Sequence, residues 1–276
     1  MTDTLQLPAP TWFVGCGNMG GAVVDGWRLG GVSLEPLIVV RPSGKAIDGA
    51  RVVANAAEAG PPPRIVVLAF KPQKLDEIAP DLRQRLTPRT IVVSLLAGVE
   101  TASLRQRFPG AGAIVRAMPN LPVAVRRGVT GLYSGDADAT ARNEVGNLFG
   151  ALGFAMWMAD EAKLAALGSV AGAGPAYVAR FIDALAKAGA QRGLTNDIAA
   201  TIARETVLGT AWMAATNGED MDSVAHRVAS PKGTTEAGLA VLDGDDHVLD
   251  RLIQVTIDAA ARRGAELAEE AREATA

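Results

Sequence analysis

Short runs of β-branched and apolar residues alternate with segments of helical periodicity through the first half of the chain. The clearest runs are at residues 12–15, 37–41, 65–69, 91–95 and 113–117. This alternation predicts parallel strands joined by right-handed helical crossovers. Further runs at 130–133 and 155–158, with a helix near 138–152 between them, are expected to extend the sheet. The first half is therefore predicted to be an α/β domain.

The pattern changes at about residue 160, where strand-like runs disappear and helical periodicity takes over. One helical stripe carries Phe181, Leu185 and Ala188. In the next segment the apolar residues wrap much of the helix circumference, at Ile198, Ile202, Val207, Leu208, Ala211 and Trp212. Such a helix is expected to be buried nearly all round, and a second copy of the chain would supply the partner that a small domain lacks. We therefore expect a homodimer or a higher homo-oligomer.

Chain length agrees with two domains, because 276 residues is near the size at which a single core divides. The predicted division puts the α/β domain at residues 1–160. An all-α domain, which would also carry the dimer contacts, follows at residues 161–276.

Charge is nearly balanced, with 27 basic and 30 acidic residues and a formal net charge of −3. Such a balance gives no general attraction to nucleic acid or anionic lipid, so a small-molecule partner is expected. The single cysteine, Cys16, excludes an internal disulfide and a cysteine-rich zinc site, and no metal is expected. With no run of about 20 apolar residues and no signal-like N-terminus, the sequence predicts a cytoplasmic protein without a membrane partner.

The segment Gly15-Cys16-Gly17-Asn18-Met19-Gly20 directly follows the first apolar run and opens a helical pattern. This GxGxxG spacing is typical of a Rossmann-type dinucleotide site, where the glycines allow a tight turn, leave room for the pyrophosphate and let helix and strand pack closely. The loop alone is weak evidence, because a chain with 30 glycines can match by chance. Its position between a predicted strand and a predicted helix favours dinucleotide binding.

The end of the second run indicates which dinucleotide is bound. An NAD enzyme usually carries an acidic residue there for the ribose hydroxyls. Here Arg41 stands twenty-one residues after Gly20 and is followed by Ser43, with neither Asp nor Glu between Leu37 and Ile47. A cation and a hydroxyl fit the 2′-phosphate of NADP(H) better, although Arg41 could also be a solvated loop cation.

Four further segments carry a resemblance to a known family. They are Ala-Phe-Lys-Pro-Gln at 69–73, Arg-Ala-Met-Pro-Asn-Leu-Pro at 116–122, Gly-Ala-Gly-Pro-Ala-Tyr at 172–177 and Ser-Pro-Lys-Gly-Thr-Thr at 230–235. With the glycine loop, they resemble the pyrroline-5-carboxylate reductase family from about residue 12 to residue 267. The resemblance implies reduction of 1-pyrroline-5-carboxylate to L-proline by hydride transfer from NADPH, the last step of proline biosynthesis.

The resemblance also assigns residues to the two ligands. For the cofactor it adds to the glycine loop, Arg41 and Ser43 the positions Asn55, Ala69, Lys71, Pro72, Ala97, Pro119 and Asn120. For the substrate, a cyclic imine with a carboxylate, it implies Gly174, Pro175, Ser230, Gly233, Thr234 and Thr235. Thr235 would lie nearest the imine nitrogen and would be the catalytic residue.

The two substrate segments have a physical reading of their own. Gly174-Pro175 is predicted to be a flexible turn with proline at the first helical position, and 230–235 a polar turn that opens a helix through Leu239 and Leu242. A helix N-terminus of this kind binds carboxylate well. A plain N-cap is the alternative, since Ser and Thr are favoured there in any case.

Two positions depart from the family pattern, and both bear on substrate preference. Ala171 and Ala173 stand where the family usually has serine, so side-chain hydroxyls there cannot be essential in this chain. Lys232 replaces a glycine, which places a cation beside the expected carboxylate site, where it could strengthen anion binding or point to solvent. Reduction of another cyclic imine therefore stays open as an alternative.

Reduction of a cyclic imine needs no strong general acid, because the ring nitrogen can already be protonated near neutral pH. Thr235, or a water that it holds, is the candidate donor to this nitrogen. His226 and His247 lie in no motif with an acid partner and are interpreted as structural or solvated. A β-hydroxyacid dehydrogenase would need Asn four residues after Lys163, where Leu167 stands. A non-catalytic NADP-binding sensor would have no need for the 230–235 turn.

Overall fold

The computed structural model describes residues 5–244 and 247–273. Within them an eight-stranded sheet has the order β3-β2-β1-β4-β5-β6-β7-β8. The strands are β1 Thr11–Val14, β2 Leu37–Val40, β3 Arg51–Val53, β4 Ile65–Leu68, β5 Ile91–Ser94, β6 Ala113–Pro119, β7 Gly128–Tyr133 and β8 Gly153–Trp157. Neighbouring strands are parallel except for β6 and β7, which are antiparallel.

Helices cover the sheet and then form the second half of the chain. Those of the first half are α1 Asn18–Leu29, α2 Leu75–Arg83, α3 Thr101–Arg107, α4 Ala139–Gly150 and α5 Glu161–Leu167. The second half contains α6 Gly174–Gln191, α7 Asn196–Asn217, α8 Met221–Val228, α9 Thr234–Leu242 and α10 Val248–Glu273. A parallel sheet with helices on both faces followed by a helical half confirms the predicted fold class.

The central strands are apolar on both faces because both faces are covered. Trp12 and Phe13 are adjacent, fully buried and on opposite faces of β1. Phe13 packs edge-on against Trp27 of α1, with ring centroids 6.2 Å apart. Phe13 and Trp27 belong to the apolar cluster on one face of the sheet. Trp12 belongs to the cluster on the other face, together with Leu82 of α2 and Leu104 of α3. Packing on both faces fixes the carboxyl ends of the strands relative to one another.

Two strand features differ from the sequence prediction. The three-residue strand β3 was not predicted, because Arg51 is exposed and Val52 only partly buried, so no apolar run marks it. β7 runs antiparallel to β6 because the connection through the 3-10 turn Leu121–Val125 is too short for a crossover helix. The remaining predicted strands lie within a few residues of their observed bounds.

The chain divides into two compact units, one up to Ala173 together with the segment from Ala260, and one spanning Gly174–Ala259. This boundary differs from the predicted division at residue 161. The reason is that α5 packs beneath β7: Leu164 is fully buried, and a Cβ added to Gly131 would lie 2.7 Å from its Cδ1. A Cβ added to Gly168 would likewise clash with the sulfur of Met118 on β6.

In the second unit, α6 and α7 pack against each other. The expectation that α7 is buried nearly all round is wrong for the single chain. Its buried residues are Ala199, Ala203 and Ala214, whereas the large apolar residues Ile198, Ile202 and Leu208 lie on other sides and are exposed. These three residues form an apolar face of α7 that is open in the described part of the chain. Among all the residues that the structure describes, no helix is long and apolar enough to cross a membrane.

Candidate functional site

A groove lies at the carboxyl ends of the central strands. The chain leaves β1 for β2 on one side and later returns to β4 on the other side, which makes the β1–β4 junction the topological switch point. Ligands of open α/β sheets bind outside the strand ends at such a point. The groove has a volume of about 890 Å³ and is lined by the loops that follow β1, β2, β4 and β5.

Most of the predicted cofactor residues line this groove. They are Gly15, Gly17, Asn18, Met19, Gly20, Arg41, Ser43, Ala69, Lys71, Pro72 and Ala97. Three do not line it. The Asn55 side chain instead caps the 3-10 turn Ala56–Glu58, and Pro119 and Asn120 are buried at the end of β6.

Each glycine of the loop has the role that the spacing predicts. Gly15 has φ +76°, and a Cβ added to it would lie 2.6 Å from the Ala69 carbonyl oxygen. Gly17 is the N-cap of α1 and has nothing within 4 Å of an added Cβ, which leaves room for a ligand. Gly20 brings α1 close to β1, because an added Cβ would lie 2.8 Å from Phe13 Cε1.

The N-terminus of α1 is open to an anion. No side chain caps this helix, so its first amides, including those of Asn18 and Met19, are free of a side-chain acceptor. Uncapped helix amides and the helix dipole together favour a phosphate at such a place. The pyrophosphate of a dinucleotide fits here.

A cationic end of the groove follows β2. The Arg41 N–H donates to Val53 O at 2.9 Å, which fixes the loop, and Arg41 Nε is a buried donor without a hydrogen-bond partner in the described part of the chain. Buried donors are normally satisfied, so an anionic group is expected to complete this site. Ser43 and Lys45 also line this end of the groove. Lys45 was not predicted, although a second cation four residues after Arg41 was a usable signal.

The same groove contains charged residues that the sequence interpretation did not include. Asp25, Arg28 and Asp48 line it. Arg28 pairs with Asp25 at 3.0 Å and donates to Asp48 O at 2.9 Å. Arg28 is thus engaged with two neighbours, which leaves Arg41 and Lys45 as the cations for a phosphate at the β2 end of the groove.

Cys16 also lines the groove. Burial raises the pKa of its thiol, and the neighbouring Arg41 only partly offsets this effect. A raised pKa disfavours the thiolate, which is the form in which a cysteine acts as a nucleophile.

The other end of the groove follows β4 and β5. Ala69 N–H donates to Val14 O at 2.8 Å and Leu95 N–H donates to Leu68 O at 2.9 Å, so both loops begin as continuations of the sheet. Because β2, β1, β4 and β5 are consecutive in the sheet, a dinucleotide with its 2′-phosphate at Arg41 would extend its nicotinamide half toward Pro72 and Ala97.

Asn120 is occupied by structural hydrogen bonds. Its Oδ1 accepts from Val129 N–H at 2.8 Å, and its Nδ2 donates to Ala171 O at 3.0 Å. The Ala171 carbonyl is available because Pro175, four residues later, has no N–H to complete a helical bond. Asn120 therefore holds the segment that leads into α6.

The prediction of a flexible turn at Gly174-Pro175 is wrong, because this segment is helical. A π-helical turn spans Gly168–Gly172, Ala173 has helical angles of φ −88° and ψ −15°, and α6 begins at Gly174. The physical reason is that proline is tolerated in the first turn of a helix, so the chain continues helically with only a local change of register.

The turn before α9 is formed as the sequence predicts. Gly233 N–H donates to Ser230 O at 2.9 Å, and Gly233 is the N-cap of α9. No side chain caps this helix, so the alternative of a plain Ser or Thr N-cap is not found. Within the described residues, the hydroxyls of Thr234 and Thr235 also make no hydrogen bond. The turn thus presents helix amides and two free hydroxyls.

Lys232 has φ +59°, a left-handed backbone conformation. This explains why the family usually has glycine here, since a side chain in that conformation costs about 1 kcal/mol. Its N–H donates to Glu236 Oε2 at 2.5 Å, which reaches back from the first turn of α9. The exposed Lys232 side chain leaves the turn with a cation at its rim.

The two histidines lie on exposed positions. His226 Nδ1 is 2.9 Å from Asp222 O in its own helix, and this contact, followed by the Asp222 charge, raises the pKa of His226. His247 is exposed with φ +43°. Among residues 5–244 and 247–273, no three His, Cys, Asp or Glu side chains group as metal ligands would.

A switch-point groove, a glycine loop at an uncapped helix and a half-buried arginine after β2 define a Rossmann-type dinucleotide-dependent oxidoreductase. Residues 161–267 match the family model described as pyrroline-5-carboxylate reductase dimerisation. Residues 12–98 match the model described as NADP oxidoreductase coenzyme F420-dependent.

Relatives and solved structures agree with these matches. Pyrroline-5-carboxylate reductase of Pseudomonas aeruginosa is 35% identical over 268 residues, with 94% of this chain and 96% of the relative covered. That of Synechocystis is 37% identical, with 76% and 80% covered. The Coxiella burnetii pyrroline-5-carboxylate reductase structure has a TM-score of 0.85 at 31% identity, covering 94% of this chain and 98% of that one. The chain belongs to the pyrroline-5-carboxylate reductase family, which confirms the resemblance inferred from its motifs.

Proposed function

We propose that this chain reduces 1-pyrroline-5-carboxylate to L-proline with NADPH, the last step of proline biosynthesis. The observation that carries the proposal is the uncapped N-terminus of α9, where helix amides meet the free hydroxyls of Thr234 and Thr235. Relatives that cover almost the whole chain bear the name pyrroline-5-carboxylate reductase. Lone Cys16 and the use of NADPH support a cytoplasmic enzyme.

The groove residues divide between the parts of NADPH. Arg41, Ser43 and Lys45 would hold the 2′-phosphate, and the glycine loop at 15–20 would hold the pyrophosphate. Ala69, Pro72 and Ala97 would line the nicotinamide half. When bound, NADPH supplies the hydride for the imine carbon. The protein's part is to bind and orient both ligands.

The α9 turn is the proposed substrate site. The amides of Gly233, Thr234 and Thr235 would bind the substrate carboxylate at the positive end of the helix dipole. Ser230 lies in the same turn, and by family resemblance Gly174 and Pro175 contribute as well. With the carboxylate fixed, the ring has one orientation, and enforced proximity supplies several kcal/mol of the barrier. As hydride reaches the imine carbon, the ring nitrogen gains one proton, which the Thr235 hydroxyl or a water that it holds would deliver and solvent would replace.

The function is tested by NADPH absorbance with three substrates. Oxidation with pyrroline-5-carboxylate, weak oxidation with 1-pyrroline and no reduction of NADP by a 3-hydroxy acid are the expected results, because 1-pyrroline lacks the carboxylate that the α9 turn binds. Equal rates with both imines would identify a general imine reductase. NADPH binding without oxidation by any imine would identify a sensor and overturn the proposal.

Replacing Arg41 with alanine is expected to raise KM for NADPH by about 10- to 100-fold, because a hydrogen bond to a charged phosphate is worth about 1.5–3 kcal/mol. KM for NADH, which has no 2′-phosphate, should change little. Steady-state kinetics with both cofactors measures the difference. Arg51→Ala is the matched control, because Arg51 is an exposed cation on β3 outside the groove. A similar rise for both cofactors would place the 2′-phosphate elsewhere.

The second unit is proposed to form the homo-oligomer contacts, with a dimer as the basic assembly. Support comes from the exposed apolar residues Ile198, Ile202 and Leu208 of α7 and from the dimerisation family model, which matches 161–267. A second copy that covers this face would give α7 the all-round burial that its sequence predicts.

A further inference from the structure

The loop between β5 and α3, residues 95–100, forms the wall of the groove at the nicotinamide end. Leu95 and Ala97 line the groove, and the order of the strands places them farthest from Arg41. Any shift of this loop would change the position of the nicotinamide half without touching the 2′-phosphate half. The contacts that hold the loop therefore bear on hydride transfer.

The start and centre of the loop are held by backbone contacts. Leu95 N–H donates to Leu68 O at 2.9 Å, and Leu96 N–H donates to Ser94 Oγ at 3.2 Å. Gly98 has φ +76°, and a Cβ added to it would lie 3.0 Å from Leu267 O in α10. The backbone of α10 at Leu267 therefore packs closely against the loop at Gly98.

The end of the loop is held by one carboxylate. Thr101, the first residue of α3, donates to Glu161 Oε1 through both its N–H and its Oγ–H, each at 2.7 Å. Glu161 is the first residue of α5, sixty residues later in the chain. A side chain at the start of the helical region therefore fixes a loop of the nucleotide groove.

Glu161 is itself held in place by a buried cation. Its Oε2 lies 3.2 Å from the guanidinium of Arg116, whose side chain is 9% exposed. Arg116 lies on β6 in register with Ser94, the last residue of β5. The carboxylate therefore links the end of the sheet, the end of the loop and the start of α5 in one partly buried cluster.

We infer that Glu161 is a positioning residue for hydride transfer, which acts by holding the 95–100 loop against the nicotinamide half of the cofactor. The inference rests on the proposed function, in which hydride moves from the nicotinamide of NADPH to the imine carbon. It predicts a division within the cofactor: loss of Glu161 weakens contacts at the Ala97 end of the groove and leaves those at the Arg41 end intact.

Glu161→Ala tests this division by calorimetry and kinetics on the full chain. Affinity for 2′,5′-ADP, which lacks the nicotinamide half, is expected to stay within about twofold. Affinity for NADP should fall by about tenfold and kcat with pyrroline-5-carboxylate by about tenfold or more, since small misplacements cost this much. Thr101→Val, which removes only the hydroxyl bond, should move the same readouts less, and it keeps the test informative where Glu161→Ala does not fold.

Glu144→Ala is the matched control. It removes the ion pair between Glu144 and Arg64, whose nearest atoms are 2.6 Å apart. This pair lies at the amino end of β4, away from the groove. It should lower stability without changing the ratio of 2′,5′-ADP to NADP affinity. Equal loss of both affinities in Glu161→Ala, or no loss of either, would overturn the inference. Because the two affinities are measured without substrate, this outcome is distinct from a failure of the proposed reaction.

Discussion

Thr235→Ala is expected to lower kcat for pyrroline-5-carboxylate by about 100-fold, the lower end of the range for a positioned proton donor. The α9 turn leaves the Thr235 hydroxyl without a partner, at the second residue of an uncapped helix. NADPH affinity should stay nearly unchanged, because Thr235 is not among the residues that line the nucleotide groove. Turnover is measured by NADPH oxidation and affinity by titration of NADPH fluorescence.

Two control variants separate the hydroxyl from the turn. Thr235→Ser keeps a hydroxyl at the same position and should retain most of the turnover. Thr234→Ala removes the neighbouring hydroxyl and should raise KM for the substrate more than it lowers kcat. Equal loss of turnover and NADPH affinity in Thr235→Ala would mean that the catalytic site has been misplaced.

The backbone geometry of the nucleotide loop could be predicted from the sequence, because it depends on residue type and spacing alone. Gly15, Gly17 and Gly20 are required by a positive φ, an open space and a close contact, and each requirement is met by a glycine at a fixed distance from the strand. The α9 turn was predictable for the same reason, since a polar turn followed by helical periodicity defines its own geometry.

Side-chain contacts over long distances in sequence could not be predicted in this way. Asn120 resembles a cofactor residue in its motif, yet both ends of its amide bond to backbone groups at Val129 and Ala171. Glu161 gave no signal, because its partners Thr101 and Arg116 are far away in sequence and nothing in its own neighbourhood indicates a buried cluster. The fold decides such pairings, and local patterns do not contain them.

Lys232, which stands where the family usually has glycine, bears on which substrates the enzyme prefers. The structure places this lysine at φ +59°, where glycine would be free of strain, directly before the proposed carboxylate site. The cost of about 1 kcal/mol is small against a charge-assisted contact. A cation at this rim would favour anionic imines over neutral ones, as expected if the α9 turn binds a carboxylate.

Charge on the apolar face of α7 is expected to have the other large effect. The unit at Gly174–Ala259 buries few apolar side chains within the described chain, namely Ala199, Ala203, Ala214 and Val224. Such a core is small for a stable unit, and in the proposed assembly a second copy supplies further apolar contacts. Ile202→Glu with Leu208→Glu would bury unpaired carboxylates at that contact, at about 3–5 kcal/mol each.

The double variant should therefore be monomeric at micromolar concentration, unfold at a lower temperature and lose most of its turnover. Light scattering measures the mass, and circular dichroism the midpoint of unfolding. Ala200→Glu is the matched control, because Ala200 is exposed one turn before Arg204 on another side of α7, where the new carboxylate can pair. An unchanged mass in the double variant, or a monomeric wild type, would contradict assembly through this face. Monomers with full turnover would show instead that the second unit is stable without a partner.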